Sequence, residues 1–260
     1  MTTFLSLLIL CCTDNSSNTN SSTTTPSVSW EADTDTDTDT DTDTDTDTDT
    51  DSDTDTDTDS DTDTDLVVSG DCGVLTKGGL SDGVAVLWEN AIELSGKPSE
   101  SMLSDGGAEI IADGNLGGSS IYSEVYAFEV LHACEGAELL KTEGEIVYDD
   151  VGGKKTDLLV SVSGQRVGVS VTRAYHYPPE GEYTVEEASA LLEDKLADVL
   201  LSAENASDKD EWIRSVLHIV AYNGQYAESV VSAWGALGAE VRDETIVFLT
   251  VSDGEDDFLY

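Results

Sequence analysis

Two short runs of alternating apolar residues, separated by one tight turn, form the clearest pattern in the chain. The apolar positions are Leu158, Val160 and Val162 in the first run, then Val167, Val169 and Val171 in the second. Successive side chains of a β-strand point to opposite faces, so a period of two places each set on one face. With Ser163-Gly164 between the runs, residues 155–174 are predicted to form a β-hairpin. Asp157 opens its first strand.

Before the hairpin, residues 119–134 have the period of a helix, with Ser119 or Ser120 as the predicted capping residue. One face carries the apolar residues Ile121, Val125, Phe128 and Leu131. Glu124 lies on that same face and needs a partner if the face is buried. Glu129 lies at the edge of the face and is predicted to be an ordinary solvated residue.

A second helix is predicted to begin after Thr184, because Thr184 and Glu187 have the spacing of a capping box. The helix runs to about residue 202. Its core face consists of Ala188, Leu192, Leu196 and Val199. Lys195 projects from within that face, so it either extends along its aliphatic stem to solvent or meets buried carboxylates.

The remaining apolar segments complete an alternation of helices and strands. Strands are predicted at residues 146–148, 215–221 and 245–251, with a helix over about 225–237 between the last two. Residues 66–118 combine glycines with short apolar runs, which is typical of a small β-rich lead-in. The pattern predicts one α/β domain over residues 119–260 behind this lead-in.

The first 65 residues differ in composition from the rest of the chain. They contain no lysine or arginine, and aspartate alternates with threonine or serine from Asp33 to Asp65. Like charges at every second residue oppose collapse, so residues 13–65 are predicted to be a disordered linker. Since 19 of the 55 acidic residues lie here, the other 195 residues carry 36 acidic and 11 basic residues, a net charge of −25. That charge makes nucleic acid an unfavourable partner.

Residues 1–12 form an apolar run that ends in two cysteines and precedes a polar segment. The run is too short to span a bilayer as a stable helix. It is similar to a bacterial lipoprotein signal in which Cys12 carries the lipid. The prediction is a lipid-anchored, extracytoplasmic protein of the bacterial cell envelope that contacts the membrane through this lipid. The alternatives are a plain secretory signal, which makes the protein secreted, and a mis-chosen start codon.

The other cysteines and the histidines show no metal-site pattern. Cys72 and Cys134 can form a disulfide in an exported protein, and two small buried thiols are the alternative. His132, His176 and His218 lack metal-ligand spacing. His218 lies within an apolar strand and is predicted to be a hydrogen-bonded structural residue.

The order helix, three strands, helix, strand, then a further helix and strand resembles the PD-(D/E)XK, or restriction-endonuclease-like, superfamily. The resemblance covers roughly residues 119–251 and includes the aspartate that opens the second strand. It implies an α/β fold with a restriction-endonuclease-like core behind the β-rich lead-in. In that superfamily a helix glutamate, the strand aspartate and a carboxylate-x-lysine on the next strand bind Mg²⁺ and activate water for phosphodiester hydrolysis.

The resemblance assigns candidate roles to individual residues. Glu124 and Asp157 are the candidate catalytic carboxylates and Mg²⁺ ligands. Ser170 and Thr172 stand where the superfamily has the carboxylate and the lysine, and are weaker oxygen donors. Lys195, on the following helix, is the candidate replacement for the missing lysine.

Two functional hypotheses follow. Arg173 and His176, at the end of the second hairpin strand, are candidate phosphate contacts in either case. The missing carboxylate, the acidic domain and the envelope location favour a degenerate nuclease-like domain with a binding or structural role, whose protein partner the sequence does not identify. The alternative is a Mg²⁺-dependent phosphodiesterase or nuclease that uses Lys195.

Overall fold

The structure, a computed structural model, describes residues 66–93, 102–114, 121–178 and 181–254. The predicted lipoprotein signal with Cys12, the linker of residues 13–65 and the predicted capping residues Ser119 and Ser120 lie outside these ranges. The described residues form a mixed α/β structure. None of the described helices is long and apolar enough to cross a membrane.

Seven strands and five α-helices alternate along the described chain. The strands are β1 (Val67–Gly70), β2 (Val86–Glu93), β3 (Glu138–Thr142), β4 (Leu158–Val162), β5 (Gln165–Ala174), β6 (Arg214–Ala221) and β7 (Ile246–Val251). The helices are α1 (Asp105–Asp113), α2 (Ile121–Glu135), α3 (Val185–Asn205), α4 (Gly224–Ala236) and α5 (Ala239–Arg242).

All seven strands belong to one sheet in the order β1-β2-β7-β6-β5-β4-β3. The central strands β2, β7, β6 and β5 are mutually parallel, whereas β1, β4 and β3 pair antiparallel with their neighbours. The lead-in therefore contributes two strands to the same sheet as the hairpin.

The predicted hairpin is confirmed. Strands β4 and β5 pair antiparallel, with Leu158 opposite Val169 and Val162 opposite Gln165. Ser163 and Gly164 both have positive φ, 52° and 77°. Two positive φ angles are what a two-residue hairpin turn needs to match the right-handed twist of its strands.

The predicted helix start at Thr184 is also confirmed. The Thr184 hydroxyl accepts a hydrogen bond from the Glu187 backbone N–H (3.2 Å), and Glu187 Oε2 accepts one from the Thr184 backbone N–H (2.8 Å). This reciprocal pair satisfies donors that the first turn leaves without intrahelical partners. The helix runs three residues beyond the predicted end, to Asn205.

The predicted strand at residues 146–148 is wrong. The strand between α2 and the hairpin is β3, earlier in the chain, which pairs with β4. Within 146–148 only Tyr148 forms an isolated bridge, with Ala206, and the Val147 N–H donates to Asp210 Oδ2 (2.7 Å). A side-chain acceptor thus takes the place of a strand partner. Helix α1, inside the lead-in, was not predicted.

Helices cover both faces of the sheet, and the alternating strand residues form two cores. On one face, α1 and α2 pack through Ile110, Val125, Phe128 and Leu131 on Val160, Val169, Val216 and Phe248. On the other, α3 and α4 pack through Leu192, Leu196, Val230 and Trp234 on Leu217, Ile219, Val247 and Leu249. Residues on both faces of β6 and β7 are fully buried, which explains their continuous apolar runs.

Helix α2 is buried around most of its circumference rather than on one face. The prediction that Glu129 is solvated is therefore wrong, because α1 packs over it. Its Oε1 accepts hydrogen bonds from the Ser104 backbone N–H (3.0 Å) and the Ser104 hydroxyl (2.8 Å), and these bonds compensate its burial.

Cys72 and Cys134 form a disulfide, which joins the segment after β1 to the end of α2. The adjacent Glu135 is buried and accepts hydrogen bonds from the backbone N–H groups of Val74 (2.9 Å) and Leu75 (2.8 Å). The disulfide and this carboxylate attach the same segment to the helix by independent contacts.

Candidate functional site

The hairpin opens into a fork at the start of β4. The pairing of β4 with β5 begins at Leu158, opposite Val169, while β5 continues to Ala174 beside β6 alone. Asp157 occupies the fork. Its backbone N–H donates to Val169 O (3.1 Å), and its Oδ2 accepts from the Val171 N–H (2.6 Å). The carboxylate therefore satisfies a backbone donor that has lost its partner strand.

A small cleft lies at this fork, near the carboxyl end of β5. Its volume is about 140 Å³, and it is lined by Ser123, Glu124, Asp157, Val171, Thr172 and Arg173. Glu124, from α2, is only 5% exposed. The structure thus brings the two predicted carboxylates into one cleft, although 33 positions separate them in the sequence. Clefts beyond the carboxyl ends of parallel strands are a common location for ligand sites in α/β sheets.

The surroundings of Asp157 favour its neutral form. Burial raises the pKa of Asp157 to about 7, and the negative charges of Glu124 and Glu143 act in the same direction. The hydrogen bond from Val171 and the positive charge of Lys195 oppose the rise without cancelling it. Burial and the acidic neighbours therefore disfavour a negative charge on Asp157, a condition that a bound cation would relieve.

Lys195 acts on the fork through its charge and does not line the cleft. It projects from α3, between the buried residues Leu192 and Leu196, and is itself partly buried. It forms no ion pair with any of the described residues, so its charge reaches Asp157 without direct contact. The structure leaves the proposed lysine near the site but outside its lining.

The two hydroxyl residues of β5 differ in position. Thr172 lines the cleft. Ser170 does not, because its hydroxyl bonds the Thr156 hydroxyl (3.0 Å). Thr156 is held in turn by Tyr148, whose hydroxyl accepts from the Thr156 N–H (2.9 Å) and donates to the Thr156 carbonyl (3.2 Å). This network positions the residue immediately before Asp157.

The two candidate phosphate contacts also lie in different places. Arg173 lines the cleft, but His176 does not. The His176 Nδ1 lies 2.8 Å from Glu187 Oε1, so the histidine belongs to the capped start of α3. Backbone and hydroxyl hydrogen bonds from Thr184, together with His176, hold the pKa of Glu187 below its ordinary value. A phosphate at the cleft would have Arg173 as its nearby cation.

Ser123 belongs to the cleft and was missed by the sequence analysis. It is 2% exposed, and its Oγ forms no hydrogen bond with another described residue. Buried hydroxyls normally have a partner, so this oxygen is available to a ligand in the cleft. A serine directly before a glutamate in a helix gives no sequence signal of such a role.

His218 is the structural histidine that the sequence predicted. It is fully buried, and its Nε2 lies 2.7 Å from the Thr250 hydroxyl, which itself donates to Asn90 Oδ1 (2.6 Å). Burial lowers the pKa of His218 to about 3, so its ring is neutral at physiological pH. It does not line the cleft.

Comparisons with known proteins give limited similarity. No family model matches the chain. It is 36% identical over 162 residues to the "AAC-rich mRNA clone AAC4 protein" of Dictyostelium discoideum, an alignment that covers 60% of this chain and 24% of that protein. The chain thus spans about a quarter of its relative's length.

Among solved structures, the chain is similar to SfsA of Pyrococcus furiosus in complex with Ca²⁺. The two share 12% sequence identity, and the match covers 52% of this chain and 58% of SfsA with a TM-score of 0.24. A TM-score this low supports no conclusion about fold or function.

Proposed function

We propose that the chain is a lipid-anchored envelope protein whose nuclease-like α/β domain binds an anionic partner through a divalent cation held between Glu124 and Asp157. The observation that carries the proposal is that two carboxylates line one small cleft, where burial and the charge of Glu124 oppose the charge of Asp157. The chain order of α2, β3–β5, α3 and β6 supports a restriction-endonuclease-like core.

The residues of the cleft fit a hard divalent cation such as Mg²⁺. Such ions prefer oxygen ligands, and Glu124 and Asp157 offer anionic oxygens while Thr172 and Ser123 offer hydroxyls. One oxygen of Asp157 is engaged with Val171, which leaves the other for a ligand. A bound Mg²⁺ would supply a positive charge that an anionic partner recognises.

Three features favour binding over hydrolysis. The strand position that carries a carboxylate in the resembling superfamily is Ser170, whose hydroxyl is engaged with Thr156. The candidate catalytic lysine, Lys195, does not line the cleft. The net charge of −25 over residues 66–260 repels a polyanionic substrate.

A Mg²⁺-dependent phosphodiesterase is the second candidate. It is favoured by Lys195, whose charge acts on Asp157, and by Arg173 in the cleft lining. A cation near the scissile phosphate stabilises the charge that develops during hydrolysis. This reading needs Lys195 to move into the cleft when substrate binds.

The extracytoplasmic location and the lipid anchor on Cys12 are part of the same proposal. The Cys72–Cys134 disulfide supports it, because such bonds persist mainly in oxidising compartments. Mass spectrometry of the mature N-terminus would test it: a diacylglyceryl-modified Cys12 supports the anchor, and an intact N-terminus at Met1 contradicts it.

Calorimetric titration tests the cation site. Mg²⁺ and Mn²⁺ are titrated into the full chain, its Asp157→Asn variant and the exposed-site control Asp149→Asn. The Asp-Thr segment contributes the same diffuse heat to all three, so the difference isolates the cleft. We expect a saturable site in wild type and control that is lost in Asp157→Asn. Equal heats in all three proteins would contradict the proposal.

A cleavage assay separates the two candidates. Single-stranded and double-stranded nucleic acid and a chromogenic phosphodiester are incubated with the full chain and Mg²⁺, beside the Lys195→Met variant. The binding proposal expects no hydrolysis by either protein. Hydrolysis by wild type that is lost in Lys195→Met would establish the enzyme instead.

A further inference from the structure

A second cavity lies at the opposite end of the parallel strands. Strand β6 begins at Arg214, but its first partner pair with β7 is Val216 with Ile246. Strand β6 therefore extends two residues ahead of its pairing with β7, and a cavity of about 160 Å³ lies near the start of these two strands. Arg214, Ser215 and Thr245 line it at the sheet.

Arg214 is a buried cation without a carboxylate partner. It is 5% exposed and forms no ion pair with any of the described residues. Its Nη2 donates to the carbonyl oxygens of Val84 (3.0 Å) and Glu244 (2.6 Å). Its Nε and Nη1 have no hydrogen-bond partner among the described residues. Both atoms are themselves buried, so the charge of Arg214, rather than a free donor, favours an anion in the cavity, because a buried guanidinium is costly unless its charge is matched.

Part of the cavity wall is apolar. Leu200 and Ala203 approach from the end of α3. The ring of Trp212 lies against Gly168, where a β-carbon would collide with it. The Trp212 Nε1–H donates to the Ser215 hydroxyl (2.9 Å), so the ring presents its apolar surface without an unsatisfied donor.

Two acidic residues also line the cavity, and they do not reverse its preference. Asp243 and Glu244 are exposed, so water and salt screen their charges, whereas the charge of Arg214 acts from the protein interior. The volume is close to that of a cavity of about 150 Å³ that accommodates a six-carbon ring. An anionic group joined to a small apolar body therefore matches both halves of the wall.

We propose that this cavity binds a small organic carboxylate, with its charged group at Arg214 and its apolar body against Trp212, Leu200 and Ala203. The site is independent of the cleft at Asp157. It uses neither a divalent cation nor any residue of the fork.

Hexanoate is the probe, with hexan-1-ol as its uncharged analogue and inorganic phosphate as an anion without an apolar body. Each is titrated into the full chain and followed by calorimetry and tryptophan fluorescence. The Ala203→Leu variant fills the cavity while keeping Arg214. Ala197→Leu makes the same change at an exposed position of α3 outside the cavity and is the matched control. Arg214→Gln tests the charge, and its circular dichroism spectrum establishes that it folds.

We expect saturable binding of hexanoate to wild type and Ala197→Leu, weakened by about tenfold or more in Ala203→Leu and in folded Arg214→Gln. Hexan-1-ol and phosphate should each bind about tenfold more weakly or worse. No saturable binding of hexanoate, or equal binding by Ala203→Leu, overturns the proposal. If hexan-1-ol binds as tightly as hexanoate, Arg214 does not contribute to binding. If phosphate binds as tightly as hexanoate, the apolar wall does not contribute. Either result also overturns the proposal.

Discussion

Two aspartates at different ends of the hairpin have opposite surroundings. Asp210 is 2% exposed and accepts hydrogen bonds from Lys141 Nζ (2.7 Å), Arg166 Nη2 (3.1 Å) and the Val147 N–H (2.7 Å). Although burial alone raises the pKa of Asp210, the hydrogen bonds from Lys141 and Val147 outweigh it and hold that pKa below its ordinary value.

Asp157 has one backbone hydrogen bond and two acidic neighbours, and its pKa rises to about 7. The difference between the two aspartates shows where the few basic residues of the chain are placed. Asp210 receives its cations from within the protein and joins β3, β5 and the loop before β6. Asp157 lacks such a partner, which is the condition expected of a carboxylate that binds an external cation.

The largest change in stability is expected for Asp210→Ala. The change leaves Lys141 and Arg166 without their shared carboxylate and removes the acceptor of the Val147 N–H. Because Lys141 and Arg166 are partly exposed, the loss in the free energy of unfolding should be about 2–3 kcal/mol. Urea denaturation measures it. The exposed neighbour Asp208→Ala should change stability by less than about 0.5 kcal/mol. Similar small effects of both variants would contradict the structural role of Asp210.

In the presence of a chelator, Asp157→Asn is expected to raise the free energy of unfolding. Asparagine retains an oxygen for the Val171 N–H but removes a charge that burial and Glu124 disfavour. At pH 8 the variant should be more stable than wild type by on the order of 2 kcal/mol. Asp149→Asn is the control, with little expected change. A destabilised Asp157→Asn would show that the charge of Asp157 is already compensated.

The pH dependence sharpens the same contrast. Asp157 has a raised pKa, so its protonated form stabilises the fold at low pH and that contribution is lost as pH rises towards and through about 7. The stability of Asp157→Asn minus that of wild type should be near zero at pH 4 and increase through pH 7. Taking the difference cancels His218, whose lowered pKa makes stability fall as pH decreases below its unfolded value. A flat difference curve would exclude titration of Asp157.

The smallest effect is expected at the third carboxylate, Glu187. It also has a basic partner, His176, but both side chains are substantially exposed. His176→Ala should therefore cost less than about 1 kcal/mol by urea denaturation. Thr184→Ala, which removes the helix cap, should cost about 1 kcal/mol. A larger loss for His176→Ala than for Thr184→Ala would mean that the ion pair, rather than the cap, holds this turn.

Features that depend on neighbouring residues were predictable from the sequence. The hairpin follows from a period of two on either side of Ser163-Gly164, and the start of α3 follows from Thr184 and Glu187, because turns and caps are local structures. Glu124 and Asp157 were selected by a resemblance in element order, and the structure places both in one cleft.

Long-range packing decided the rest. The strand before the hairpin is β3 rather than residues 146–148. Strand β3 pairs with β4, whereas the Val147 N–H donates to Asp210. Glu129 is buried because α1 packs on α2, and Arg214 is held by the segments before β2 and β7, since its Nη2 donates to Val84 O and Glu244 O. Asp210 lies 69 residues from Lys141 and 44 from Arg166, so no local pattern reveals their contact. The sequence determined most of the elements, whereas contacts between distant residues determined that Asp210 pairs with two cations of the protein and that burial raises the pKa of Asp157.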